Sequence, residues 1–393
     1  MLEELVQRLE QRKNEGLFRY RLTRQGPQTP HIKVATQSNL SFCSNDYLGL
    51  ANHPEVVAAL CQGSLQYGAG SGASHLISGH SEVHHDLENA LAKYTELPRA
   101  LLFSTGYMAN IAVVTTLVGH HDAVFADKLN HASLNDAALL SKAKLIRYPH
   151  LDLETLERAL AQTHVPNKLV LTDAVFSMDG DIAPVKELLT LCQKYNAWLL
   201  IDDAHGFGVL GHAGKGILHH CDQIDLNSPH LIYMATLGKS VGVFGAFVAG
   251  QPELIEMLIQ FARTYGYTTA MPSALACAIM QSLILLEREA WRREKLARLI
   301  ILLKDHYQSA RWSLLPSFTP IQPLLIGESS TAVLLSEMLR REGILVPAIR
   351  PPTVPVGQAR LRISLSASHR EAEVIQLIEA LQRVERMIWI GSA

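Results

Sequence analysis

One lysine stands in a setting suited to chemistry on carbonyl compounds. Lys239 lies in Tyr233-Met-Ala-Thr-Leu-Gly-Lys-Ser-Val-Gly-Val-Phe-Gly245, a small-residue loop after an apolar run. A lysine held there against a flat ligand loses hydration. Its pKa falls and the amine becomes a nucleophile for an aldehyde. That is the behaviour of a lysine that carries pyridoxal phosphate (PLP). A plain surface lysine in a turn is the other reading. Gly238-Lys239-Ser240 also ends like a P-loop, but the glycine required five positions before Gly238 is Tyr233, so that motif fails.

Three other apolar runs end in groups of similar promise. Asp127 and then Asn130-His131-Ala-Ser133 follow 123–126. Asp173 and then Ser177 follow 168–172, and Asp202-Asp203-Ala-His205 follows 197–201. An apolar strand ending in two acids could serve an ATPase, but no P-loop lies upstream. Asp203 is expected to be the more dispensable of that pair.

Short apolar runs must position these groups. They occur at 100–103, 123–126, 168–172, 197–201, 230–234 and 245–248, and helix-period stretches such as 153–162 and 184–195 lie between most of them. Continuous apolar strands alternating with helices predict an α/β fold whose mainly parallel sheet is covered on both faces. Ligands then bind beyond the carboxyl ends of the strands. The turn at 104–110, between a strand and an apolar helix, predicts an anion site of free backbone N–H groups. Gly68-Ala-Gly-Ser-Gly-Ala73 resembles a dinucleotide fingerprint, but 54–67 reads as a helix where that motif needs a strand. His80, His84 and His85 are read as a solvated helix start rather than a metal site, and no metal is expected. An amphipathic helix begins the chain. After about 285, a charged helix over 286–307 leads to a smaller α/β segment with strands at 321–326, 344–349 and 360–366. The expected domains are 1–45, 46–285 and 286–393.

The chain has 393 residues, 48% hydrophobic and 18% charged, with net charge −2. This suits a large globular enzyme and offers no basic field for nucleic acid or membrane. The five cysteines are odd in number and form no Cys-x-x-Cys pair, which suits a reducing compartment. The N-terminus lacks a signal-peptide core. A cytoplasmic location is expected.

With these residues in view, the chain resembles the PLP-dependent α-oxoamine synthases, which have the aspartate-aminotransferase fold (fold type I). The matching motifs are Ser44-Asn-Asp-Tyr-Leu-Gly-Leu50, Asn130-His-Ala-Ser133, Val175-Phe-Ser-Met-Asp-Gly-Asp181, Asp202-Asp-Ala-His-Gly206, Thr236-Leu-Gly-Lys239 and Ala348-Ile-Arg-Pro-Pro-Thr-Val-Pro355, continuing into Ala359-Arg-Leu-Arg362. The resemblance implies a large domain with a seven-stranded sheet and a small C-terminal domain. It implies that Lys239 forms the Schiff base, Asp202 pairs with the pyridinium nitrogen and His131 stacks on the ring. His205 and Ser177 would reach the 3′ oxygen. Gly106, Tyr107 and Thr236 would hold the phosphate, and Thr269 the phosphate of a neighbouring subunit in a homodimer. Asn45 and Arg362 would hold an amino-acid carboxylate, with Arg19, Arg21 and Arg350 as cations for the acyl donor. Phe207 departs from the family pattern and is expected to alter pocket shape. The implied reaction joins L-alanine to a pimeloyl thioester, on coenzyme A or an acyl carrier protein, with loss of carbon dioxide, in biotin biosynthesis. The alternative is a sister synthase using glycine and a shorter acyl-CoA.

Overall fold

A computed structural model describes residues 1–390. At its centre is a seven-stranded sheet. Its strands are β1 (Arg99–Phe103), β2 (Ala123–Asp127), β3 (Lys144–Tyr148), β4 (Lys168–Asp173), β5 (Trp198–Asp202), β6 (Leu231–Thr236) and β7 (Ala246–Gly250). Their spatial order is β1-β7-β6-β5-β4-β2-β3. Only β7 runs antiparallel to its neighbours.

Both faces of the sheet are covered, which is why its strands read as unbroken apolar runs. Val124, Leu169, Leu171, Leu200 and Ile232 pack on one side with Val113, Leu134 and Leu258 from the helices Gly106–Leu117, Ala132–Ser141 and Pro252–Phe261. Phe125, Val170, Leu199, Ile201 and Phe247 pack on the other with Leu156, Leu188 and Ile279 from Leu153–Gln162, Val185–Lys194 and Ser273–Arg288. Each such leucine, isoleucine or phenylalanine contributes roughly 1.5–3 kcal/mol by leaving water. This covered sheet is the rigid frame that holds the loops at its carboxyl edge.

A second, four-stranded sheet contains Ser313–Leu314, Ile321–Gly327, Ala359–Ser364 and Ala348–Ile349. The helices Trp291–His306, Ser329–Arg341 and Glu371–Ile390 accompany it. The N-terminal segment joins this region. Its strands Arg24–Gln25, His31–Val34 and Gln37–Ser41 form a sheet that ends on Ile344–Leu345, with Leu40 opposite Ile344 in parallel register.

Within the fold, the structure differs from the sequence reading in the following elements. The strand β3, Lys-Leu-Ile-Arg-Tyr, escaped the pattern because it is an edge strand with exposed Lys144 and Arg147. The expected strand 344–349 is two short strands in different sheets, separated by Pro347, which has no N–H for a ladder. The charged helix expected over 286–307 breaks at Glu289 and Ala290 without any glycine or proline to announce it. His84 is wholly buried, not a solvated helix start. Its Nδ1 lies 3.0 Å from both the backbone N and Oγ of Ser81, and its Nε2 lies 2.8 Å from the Met271 carbonyl. Both nitrogens are thus engaged by the helix cap and a neighbouring loop. The segment before the glycine-rich loop is helical, Pro54–Tyr67, as the sequence indicated.

Candidate active site

The parallel strands β2, β4, β5 and β6 bring their carboxyl ends to one edge, and their loops enclose a cavity of about 180 Å³. Gly106, Tyr107, His131, Ser133, Asp173, Asp202, His205, Thr236 and Lys239 line it. Four separate strand ends therefore converge, as the α/β reading required.

Lys239 sits in the turn between β6 and β7, and its Nζ lies 2.7 Å from His205 Nε2. Burial lowers the lysine pKa to about 8, against the opposing pull of Asp202 and Asp173. A substantial fraction of neutral amine near pH 8 is what a carbonyl nucleophile and proton acceptor needs. His205 is neutral. Burial drives its pKa well below the ordinary value, and Lys239 and Arg362 add to this.

Asp202 ends β5. Its Oδ1 accepts from Ala204 N at 3.0 Å and its Oδ2 from Asn110 Nδ2 at 2.8 Å. The same Asn110 amide donates to Ser133 Oγ at 2.8 Å. Ser133 Oγ in turn lies 2.7 Å from His131 Nδ1, so one polar chain orients both Asp202 and His131. The backbone N–H of His131 donates to Asp173 Oδ2 at 2.6 Å. Burial raises the Asp173 pKa well above normal, and the charge of Asp202 raises it further. Asp173 is therefore held toward its neutral form beside Asp202.

Asp203 points away from the cavity lining and has a structural place of its own. It is wholly buried, and its Oδ2 accepts from Ile217 N and Tyr233 Oη, each at 2.7 Å. Burial pushes its pKa up to about 7. It fastens the loop after β5 to β6.

The helix Gly106–Leu117 points its N-terminus at the cavity, with Thr105 Oγ1 accepting from Met108 N at 3.2 Å. Gly106 and Tyr107 thus stand where free N–H groups meet an anion. Thr236 Oγ1 donates to the Gly245 carbonyl at 2.9 Å.

The remaining predicted residues lie outside the lining of this cavity. Arg362 is buried and donates from Nε to the Ser177 carbonyl at 2.5 Å, and from its Nη1 to Asn45 Oδ1 at 3.2 Å. Ser177 lines an adjoining cleft of about 490 Å³, shared with His131, Arg19 and Arg360. A further cleft of about 560 Å³ shares Arg19, Pro352 and Thr353 with it and is also lined by Arg350. Arg350 is not a free cation. It donates to the carbonyls of Gly16 and Phe18 and so holds the N-terminal segment. Arg21 lines none of these three cavities. Thr269 is exposed, outside them all, and forms a backbone bridge with Ser74. Phe207 does not shape the pocket, because it is 1% exposed and packs edge-on against Tyr94 and Phe247.

Sequence reasoning gave no role to Asn110 or Tyr47. Asn110 carried a usable signal, being a lone amide in an apolar helix, and buried amides need partners. Tyr47 carried none beyond its place in the 44–50 motif.

Residues 38–381 match the family model of class I and II aminotransferases. The chain is 63% identical over 384 residues to the 8-amino-7-oxononanoate synthase of Nitrosospira multiformis, covering 98% of this chain and 96% of that protein. It is also 63% identical to the synthase of Nitrosomonas europaea, covering 97% and 99%. The chain belongs to the class I and II aminotransferases, among the 8-amino-7-oxononanoate synthases. Its fold matches serine palmitoyltransferase from S. paucimobilis, solved with a PLP–myriocin aldimine, at TM-score 0.91 and 26% identity over 98% of both chains. It matches 8-amino-7-oxononanoate synthase from Francisella tularensis at TM-score 0.77 and 32% identity, over 89% of this chain and 99% of that one. PLP is the cofactor of this family member, and the residues present suit it. The cavity offers an amine for the aldehyde, a carboxylate for the ring nitrogen and a helix N-terminus for the phosphate.

Proposed function

We propose that the chain condenses L-alanine with a pimeloyl thioester, giving 8-amino-7-oxononanoate, carbon dioxide and the free carrier thiol in biotin biosynthesis. The observation that carries this reading is its near full-length identity to named synthases, together with a low-pKa Lys239 at the meeting point of four strand ends. When bound, PLP supplies an electron sink for negative charge at the substrate Cα.

The roles of the side chains follow from their chemistry. Lys239 would hold the cofactor through its aldehyde, and its amine is the group placed to accept the substrate Cα proton. Asp202 would keep the cofactor's ring nitrogen protonated through its charge, and Asn110 holds Asp202 in place. His131 would lie against the cofactor ring, and His205 and Ser177 would serve its 3′ oxygen. Gly106, Tyr107 and Thr236 hold the phosphate. Arg362 and Asn45 grip the amino-acid carboxylate, for which a planar guanidinium fork is well shaped.

The acyl chain follows the cleft lined by both His131 and Arg19, and of Arg19, Arg21 and Arg24 only Arg19 lines it and so can meet a distal carboxylate. Arg350 supports that site by holding the segment that carries Arg19. Arg21 is a weaker choice on this geometry. The carrier is coenzyme A or an acyl carrier protein. We read the chain as a large cofactor-binding domain, 46–285, a small domain, 286–393, and an N-terminal segment, 1–45. Exposed Leu76, Ile77, Tyr267 and Thr269 support a face that meets a second copy, so that Thr269 serves the neighbour's phosphate in a homodimer. Among the described residues no helix is long and apolar enough to cross a membrane, and we place the enzyme in the cytoplasm.

The test offers L-alanine or glycine against pimeloyl-CoA, a pimeloyl carrier protein, acetyl-CoA and succinyl-CoA, with products identified by mass. Preference for L-alanine with a pimeloyl donor is expected. Preference for glycine with a short acyl-CoA would overturn the substrate assignment and leave the fold and cofactor standing. Borohydride treatment of the PLP-loaded protein should fix the cofactor on the peptide containing Lys239, and Lys239→Ala should abolish turnover. A label on any other lysine refutes that role.

A further inference from the structure

One buried side chain, Tyr47, joins the two halves of the proposed site. Tyr47 is 0% exposed. Its hydroxyl lies 2.7 Å from His205 Nδ1, and His205 Nε2 lies 2.7 Å from Lys239 Nζ. On the other side the hydroxyl donates to Asn45 Oδ1 at 3.1 Å, and an Arg362 Nη2 donor reaches it at 3.5 Å. Arg362 also donates to Asn45 Oδ1 at 3.2 Å. A continuous hydrogen-bonded chain thus runs from the proposed carboxylate grip, Asn45 and Arg362, to the reactive amine.

Counting protons limits this chain to two arrangements. A buried tyrosine hydroxyl has one proton, and a neutral imidazole has one N–H. If Tyr47 donates to Asn45, His205 must donate from Nδ1 to the tyrosine oxygen, and Nε2 presents a lone pair to Lys239. If Tyr47 donates to His205 Nδ1, then Nε2 carries the hydrogen and faces Lys239 as a donor. The first arrangement favours a protonated lysine, since the ammonium can donate to Nε2. The second favours the free amine, which alone has a lone pair to accept.

We propose that Tyr47 is a positioning residue that selects which nitrogen of His205 carries the proton, and so couples carboxylate binding at Asn45 and Arg362 to the proton affinity of Lys239. With no carboxylate bound, Arg362 donors compete for Asn45 Oδ1 and the tyrosine oxygen. A carboxylate draws the guanidinium N–H groups to itself. Asn45 Oδ1 is then left to the tyrosine proton, Nδ1 of His205 donates to the tyrosine oxygen, and Nε2 becomes an acceptor for Lys239. The lysine gains proton affinity when a substrate carboxylate is in place. One proton is taken up from solvent: the Nε2 proton of His205 passes to Lys239, the tyrosine proton passes to Nδ1, and Tyr47 takes the solvent proton into its bond to Asn45.

This inference rests on the proposed roles of Lys239, Asn45 and Arg362, but its test does not need the assigned substrate. The full chain is labelled with 15N-histidine and measured free of PLP and after loading, with acetate as the carboxylate probe. Long-range 1H–15N spectra report the tautomer of His205, identified by a His205→Asn control. Acetate should move wild-type His205 toward the Nδ1–H form. In Tyr47→Phe, Nδ1 has no acceptor, so His205 should stay Nε2–H with or without acetate. In the same variant, competitive acetylation of the PLP-free chain with acetate present, read by mass spectrometry, should show the Lys239 pKa lowered relative to wild type under the same conditions. The other groups facing the lysine, Asp202, Asp173, Asp203, Arg362 and His131, are unchanged in that variant. Loss of one neutral hydrogen bond predicts a fall in kcat of about tenfold, with KM for L-alanine within about twofold. A His205 tautomer that ignores acetate in the wild type overturns the proposal, as does a Lys239 pKa unmoved or raised by Tyr47→Phe. The wild-type measurement decides the matter even if the variant misfolds. A normal acetate response with no activity toward L-alanine would instead fault the substrate assignment.

Discussion

His150→Gln is the perturbation that best tests how the site loops are held. His150 Nδ1 lies 3.0 Å from Asp127 Oδ1, and its Nε2 lies 2.6 Å from Asp181 Oδ2. Asp127 also accepts from the backbone N–H groups of Leu129 and Leu151, at 2.8 and 2.9 Å. One imidazolium thereby ties together the loop leading to His131, the turn after β3 and the loop carrying Ser177. Burial alone would lower the histidine pKa. The hydrogen bonds and charges of Asp127 and Asp181 outweigh it and push the pKa up to about 10. From an ordinary value of 6.5 that is 3.5 units, a ceiling of about 4.8 kcal/mol at 1.36 kcal/mol per unit. The His150 and Asp181 side chains are each 25% exposed. Solvent screening therefore reduces the contribution to about 2–3 kcal/mol. The folded-state pKa is raised, so this stability is fully present below pH 6.5, declines as pH rises, and is lost above about 10. Glutamine keeps amide donors and removes the charge. Urea unfolding at pH 6, 8 and 10, followed by tryptophan fluorescence, should show the variant about 2–3 kcal/mol less stable at pH 6 and close to wild type at pH 10. A loss of equal size at pH 6 and pH 10 would refute the ion-pair argument, and so would a loss below about 1 kcal/mol at pH 6.

Asp202→Asn should lower kcat by at least about a hundredfold, because a charge aimed at the developing transition state is lost. Asp203→Ala should act chiefly on unfolding, by about 2–4 kcal/mol, since it orphans the Ile217 N–H and the Tyr233 hydroxyl. If the two variants show the same profile of rate and stability, the division of labour between the neighbouring acids is wrong. Arg362→Ala should raise KM for L-alanine about tenfold or more, the loss of a charge-assisted pair, and Arg362→Lys should recover only part of it. An unchanged KM in both variants would place the carboxylate elsewhere.

Much of this molecule was written in short stretches of sequence. The apolar runs of the large sheet were legible because a strand buried on both faces has no polar side to disguise it. Lys239, Asp202, His205 and His131 were legible because polar residues at the ends of such runs have one common place to go, the carboxyl edge of the sheet. The helix Pro54–Tyr67 was legible from its apolar spacing, and it excluded a dinucleotide fold.

What the sequence could not decide depended on contacts between distant segments. Nothing in the local pattern says that Tyr47 meets His205, 158 positions away, or that Arg362 meets Ser177 across 185. Asp202 and Asp203 are chemically alike and adjacent. Successive side chains at a strand end point to opposite faces, so one turns to the cavity and its neighbour to the packed side beneath the loop. Arg350 looked like a spare cation until the fold placed the carbonyls of Gly16 and Phe18 against it. His84 looked like a surface histidine until burial and two fixed partners gave it a structural task. Residue type and spacing determined which groups reach the edge of the sheet. Tertiary packing alone decided which of them face one another, because hydrogen bonding and desolvation depend on distances that the order of residues does not contain.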